Sequence, residues 1–159
     1  MRRAIAFAVP VGVLLALAGC ATGPVNTLSP EDSQKELFAL LDDVQAQIGG
    51  DWVNEDSLSP RGCTLPGGDD GVTFTGTRTL EAPAMTEAQL DELVDFLGDK
   101  GFDAGVSGMG ILTDVLAVDP DDKTSYVEVR VGDVSSQLTG QARCAVGDVY
   151  DELQRVNNE

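Results

Sequence analysis

After three residues the chain runs through sixteen, Ala4 to Gly19, that are all apolar or small, and the alternation of apolar and polar positions begins only after them. From Ser29 the pattern turns helical. Ser29-Pro30-Glu31-Asp32 supplies a capping residue, a proline at the first helical position and acids in the first turn. Leu37, Leu40, Leu41, Val44 and Ile48 follow at helical spacing, and Gly49-Gly50 ends the segment. Asp51 to Ser57 reads as a short strand. Leu58 to Gly71, rich in proline and glycine, reads as a long loop. Val72 to Ala82 alternates, is rich in threonine and predicts a strand. A second helix is expected from Thr86, whose spacing to Gln89 makes a capping box. Leu90, Leu93, Val94 and Leu97 give it one apolar stripe, and Gly101 stops it.

Strands then dominate. Phe102 to Ser107, Ile111 to Asp119, Ser125 to Val131 and Ser135 to Cys144 are the candidates, with tight turns at Gly105 to Gly110 and Pro120 to Lys123. Gly147 to Val156 is a candidate for a last short helix. The order predicts an α+β domain, with two helices packed on one face of an antiparallel sheet of about five strands.

The apolar opening is too short to span a bilayer, which takes about 20 residues. With Met1-Arg2-Arg3 before it, it reads as a secretory signal over residues 1–19. It ends in Leu17-Ala18-Gly19-Cys20, which resembles a bacterial lipobox. That resemblance implies cleavage before Cys20 and a diacylglycerol on its sulfur, so that the protein is anchored to the membrane rather than spanning it. Residues 20–28 would form the anchor and a flexible tether, and residues 29–159 a single domain on the extracytoplasmic side.

Composition narrows the picture. The chain has 27 acidic and 10 basic residues and a net charge of −17, which becomes about −19 once Arg2 and Arg3 are removed. A nucleic-acid partner is not expected, because a polyanion needs a basic footprint. Histidine is absent, which removes the commonest general base and the commonest transition-metal ligand. No cofactor or metal is expected, and the chain does not read as an enzyme. If Cys20 is lipidated, Cys63 and Cys144 remain as an even pair in an exported protein. One disulfide is the simplest account, worth on the order of 4 kcal/mol by loop closure; two free buried thiols are the alternative.

Candidate chemistry is sparse. Asp69-Asp70 in "PGGDDG" and Asp121-Asp122 in "DPDDK" read as turns first and as weak calcium loops second, since neither has the ligand order of an EF-hand. "GVSGMG" lacks the Lys-Ser/Thr and following helix of a phosphate loop. Glu128 and Arg130 read as a surface pair. Trp52 either packs in the core near the disulfide or lines a ligand groove. Arg61 and Arg78, scarce positives, either grip an anionic group or form salt bridges at the rim. Trp52 and Arg61 are retained as candidate ligand-binding residues.

The lipobox, the tether, "GGDW" (Gly49 to Trp52), "RGCTLPGG" (Arg61 to Gly68) and the late Cys144 together resemble small actinobacterial lipoproteins of the LppA-like kind, over most of residues 35 to 144. That resemblance implies a helix, a tryptophan after a glycine pair and two cysteines bracketing an α+β domain. The function expected is a membrane-anchored binding or envelope-associated module, with a small-ligand or calcium-binding lipoprotein as the alternative.

Overall fold

The computed structural model describes residues 28–82, 85–109 and 112–158. Helix α1 (Pro30–Ile48) leads into strands β1 (Trp52–Asn54), β2 (Ser57–Thr64) and β3 (Asp70–Leu80). Helix α2 (Glu87–Asp99) crosses to β4 (Asp103–Met109), from which β5 (Leu112–Val118), β6 (Tyr126–Val131) and β7 (Ser136–Gln141) return as a meander. Helix α3 (Val149–Val156) closes the described chain. The sheet is antiparallel throughout and runs β1-β3-β7-β6-β5-β4, with β2 sharing the β1 side of β3.

The local signals for the long helices are realised as hydrogen bonds. The Ser29 hydroxyl accepts from the Asp32 N–H at 3.1 Å, and Gly49 (φ 78°) and Gly50 (φ 93°) release the chain from α1 in a conformation that side chains resist. At α2 the capping box is complete: Gln89 N–H donates to Thr86 Oγ1, and Thr86 N–H to Gln89 Oε1 at 2.9 Å.

Leu37, Leu41 and Val44 of α1 and Leu90, Leu93 and Leu97 of α2 are buried in one cluster with Val115, Ala117, Val127, Val129, Val131 and Leu138 of the sheet. These strand residues lie opposite one another in register, so both helices cover the same face. Each fully buried Leu contributes roughly 1.5–3 kcal/mol. Gly76 and Gly140, paired across β3 and β7, let α1 settle on the sheet: a Cβ at either would run into Leu41. Threonines 75, 77 and 79 occupy the opposite, uncovered face.

Three expectations are corrected. Among the described residues the sheet has seven strands rather than about five, and the two helices on its face are joined by a third, α3, in the candidate segment Gly147 to Val156. The expected loop Leu58 to Gly71 is β2 for half its length. Pro60 sits on this edge strand, where a missing N–H costs no ladder bond to a further strand. The glycine-rich "GVSGMG" is largely β4, with Gly105 opposite Leu116 and Met109 opposite Leu112. α3 packs against β2 on the core side: a Cβ at Gly62, opposite the core residue Val72, would stand 3.9 Å from Val149 Cγ2.

Candidate functional site

α1, the end of α2 and the β5–β6 turn enclose a cleft of about 470 Å³. That volume lies within the range of small-molecule sites, about 300–1,000 Å³. Its apolar lining comes from Leu37 and Leu40 of α1, Phe102, Tyr126 and Ala142. Its rim is charged, with Glu36 and Asp43 on α1, Asp119 and Asp121 on the turn, and Lys100 and Arg143 as the cations.

Each cation reaches the cleft through a local device. Gly101, at φ 94°, ends α2 and turns the chain, with Phe102 N–H donating to Leu97 C=O at 3.1 Å. Lys100 thereby stands 2.5 Å from Asp43 and over the Phe96 ring at 5.3 Å. Arg143 follows the end of β7 and is held by the Ser33 hydroxyl, which donates to its carbonyl at 2.5 Å. Its guanidinium is 3.1 Å from Glu36 and 3.7 Å from Asp119. The Lys100–Asp43 and Arg143–Glu36 pairs are exposed and add little stability, typically about 0–1 kcal/mol, while Asp119 is half-buried; together they set the charge of the rim.

The β5–β6 turn is knit by its own acids. Asp119 Oδ1 accepts from the N–H groups of Asp121 and Asp122. Asp122 accepts from the side chain and N–H of Thr124 and from the N–H of Cys144 at 2.9 Å. Partial burial works against its ionisation, but the Thr124 hydroxyl, the Cys144 and Thr124 N–H groups and the nearby Arg143 charge outweigh it. The carboxyl is held below its ordinary value of 3.8. Asp122 therefore contributes stability that is fully present above about pH 4 and fades as pH falls through the ordinary carboxylate value toward its own. Asp122→Asn is expected to flatten the acid limb of a denaturation profile while leaving the neutral-to-alkaline limb parallel to the parent. The same acid-limb slope in both would overturn this role. Asp119 and Asp122 thus serve the backbone of the turn and of Cys144, while Asp121 lines the cleft. Among the described residues no three or more His, Cys, Asp or Glu side chains gather where they could hold a metal ion.

Cys63 and Cys144 are joined, Cα to Cα 5.9 Å, across 81 positions of sequence. Cys20 lies outside the described residues. Trp52 is half-buried against the core, and its indole N–H donates to Gly49 C=O at 2.9 Å. It is not near the disulfide: Trp52 pairs with Leu80 and Cys63 with Gly71, about 30 Å apart along β3 at about 3.3 Å per residue. Arg61 is exposed and pairs with Thr73, seven positions from Leu80. The two candidate ligand residues therefore do not share a site, and neither lines the cleft.

Arg78 departs most from the rim position expected of it. It is 1% exposed on the core side of β3 and opposite Leu138. Its Nε and Nη2 donate to the two oxygens of Asp56 at 3.2 and 2.8 Å, and its Nη1 to Asp42 and Gln45 at 2.6 Å. Desolvation opposes its charge, but the hydrogen bonds it donates to Asp56 and Asp42 and the charges of those carboxylates outweigh it and raise its pKa. The signal was in the alternation, since Arg78 shares parity with Phe74 and Leu80.

Fold and site together define a disulfide-bonded α+β domain whose helices leave an amphipathic cleft at one end of the sheet. No protein-family model matches the chain, and no curated protein matches it. Among solved structures it is similar to the crystal structure of a DUF4853 family protein from Actinomyces odontolyticus ATCC 17982. The TM-score is 0.56 at 17% identity, over 76% of this chain and 71% of that one. The likeness is one of fold.

Proposed function

We propose that the protein is a lipid-anchored, extracytoplasmic binding module without catalytic activity, of the small actinobacterial LppA-like kind, that holds a small ligand in the cleft beside α1. The observation that carries the address is the pairing of cysteines. Cys63 and Cys144 bond to each other, as suits an exported protein, and leave Cys20 over, in the Leu-Ala-Gly-Cys motif. The actinobacterial source of the similar structure agrees with the suggested lineage. Cys20→Ala is expected to move the protein from the membrane fraction into the soluble one; a variant that stays with membranes overturns the anchor.

The cleft supports binding. Four carboxylates face two cations around an apolar lining that includes Phe102 and Tyr126, so the site suits a compact cation with an apolar body. Hexylammonium at millimolar concentration is expected to raise the melting temperature of the folded domain, because a ligand that binds only the folded state stabilises it. Hexanoate, of the same length and opposite charge, should not. Equal shifts with both, or with neither, would remove this reading of the rim.

A further inference from the structure

We propose that the outer flank of α3 rests on the bilayer surface beside the lipid anchor, as a second and weaker membrane contact. This builds on the anchored reading of Cys20. The root of the tether and the start of α3 are in contact. Val146 N–H donates to Leu28 C=O at 3.1 Å, and Gly147 lies so close to Pro30 that a Cβ there would stand 2.7 Å from its Cγ. Cys20 is eight residues from Leu28, a reach of at most about 27 Å at about 3.4 Å per residue. α3 has eight residues and is about 12 Å long at about 1.5 Å per residue. The lipidated end of the chain therefore stays within about 27 Å of Leu28, beside the start of this helix.

The helix carries a surface that fits that position. Val149 turns toward Gly62 of β2 and Val156, two turns on along the same flank, is half-buried like it, while Tyr150 is 67% and Leu153 37% exposed; Val146, just before the helix, is 51% exposed. At about 100° per residue, Leu153, Asn157, Tyr150 and Gln154 share an arc of about 100° that holds no charge. Asp151 lies about 60° beyond its edge by the same count, and Asp148 and Glu152 lie further round. Glu152 is in addition paired with Arg155 at 2.8 Å. Tyrosine beside leucine suits the headgroup boundary, where one end of the ring is wet and the other apolar. The acidic surface of the whole domain opposes approach to an anionic bilayer. This contact therefore forms only when the acyl chains already hold the domain there, and it sets how the domain is turned.

The test uses the lipidated mature protein, reconstituted in vesicles of phosphatidylethanolamine and phosphatidylglycerol with brominated acyl chains. The parent supplies its own control. Trp52 pairs at the Leu80 end of β3, about 26 Å of strand from Val72, which lies opposite Gly62 beside α3, and its emission should be unaffected by bromine. Tyr150→Trp adds an indole on the proposed contact. Its emission is expected to shift to the blue on flotation with vesicles and to be lost to brominated lipid. Leu153→Trp, nearly one turn on, repeats the reading independently. Floating protein whose added indole is unquenched in both variants overturns the contact and leaves α3 facing solvent or another protein. Protein that does not float overturns the anchor, and the contact with it.

Discussion

Cys63→Ser is expected to lower the stability of the domain by about 4–5 kcal/mol, the loop-closure value for a bridge spanning 81 positions. For a domain of this size that is a fall in melting temperature of roughly 10–20 °C. It is a large fraction of the about 5–15 kcal/mol that a domain has in total. The bridge joins β2 on one edge to the segment after β7, which follows it by most of the fold. Without it, the edge strand is held by its ladder to β3 and by α3. Cys144→Ser should cost more than Cys63→Ser, because residue 144 is 1% exposed and the substitution puts a hydroxyl in that buried position beside Gly71. Urea denaturation of the two variants and of the reduced parent measures this. A loss under about 1 kcal/mol in the reduced parent would show that the bridge is not a stabilising one.

Arg78→Met should cost about 3–5 kcal/mol, the usual result of removing one partner from a buried ion pair. The cost does not come from the lost attraction alone. Asp56, whose side chain is 17% exposed, is left with its charge and no cation, while Asp42, at 66%, can turn to water. Asp56→Asn is therefore expected to be more damaging than Asp42→Asn. Arg78→Lys should rescue little: one ammonium cannot make the two-point bond to Asp56 and still reach Asp42 and Gln45. Combining Arg78→Met with Asp56→Ala should recover part of the loss, since the stranded carboxylate goes with it. Fully additive losses in that double variant, read by chemical denaturation, would overturn the pairing as the cause.

The parts of the fold that were legible in the sequence are those set by neighbours in sequence. Ser29 with Pro30 and Thr86 with Gln89 cap their helices within one turn, so both starts fall where the residues place them. The antiparallel alternation of β6 and the parity of the cysteine count were equally direct. β2 was not legible, because Ser57–Thr64 is composed like a loop and becomes a strand only through the ladder that β3 offers it. α3 is short and gains its place from packing on β2. The cleft was hidden for the same reason: Asp43 and Lys100 are 57 positions apart and Glu36 and Arg143 are 107 apart, and no local pattern marks them as neighbours. Arg78 was readable in principle. A charged residue in phase with Phe74 and Leu80 belongs to the inner face of its strand, and burial then demands carboxylates around it.

The inward turn of Asp56 has a consequence for how copies of the protein behave when crowded. β3 is 11 residues long, and an unbroken partner on its flank would offer neighbouring molecules a long, straight row of unpaired backbone groups. Instead the chain gives it three residues of β1 and one more bond, from the Glu55 N–H to the Thr77 carbonyl, turns Asp56 inward to Arg78, and resumes in an irregular β2 that contains Pro60. On the lipid anchor proposed for Cys20, molecules would be confined to two dimensions and would meet one another more often. There, a broken edge denies an adjacent copy the template on which strands add from chain to chain. The ion pair that fastens the core also keeps this side of the sheet from growing into its neighbours.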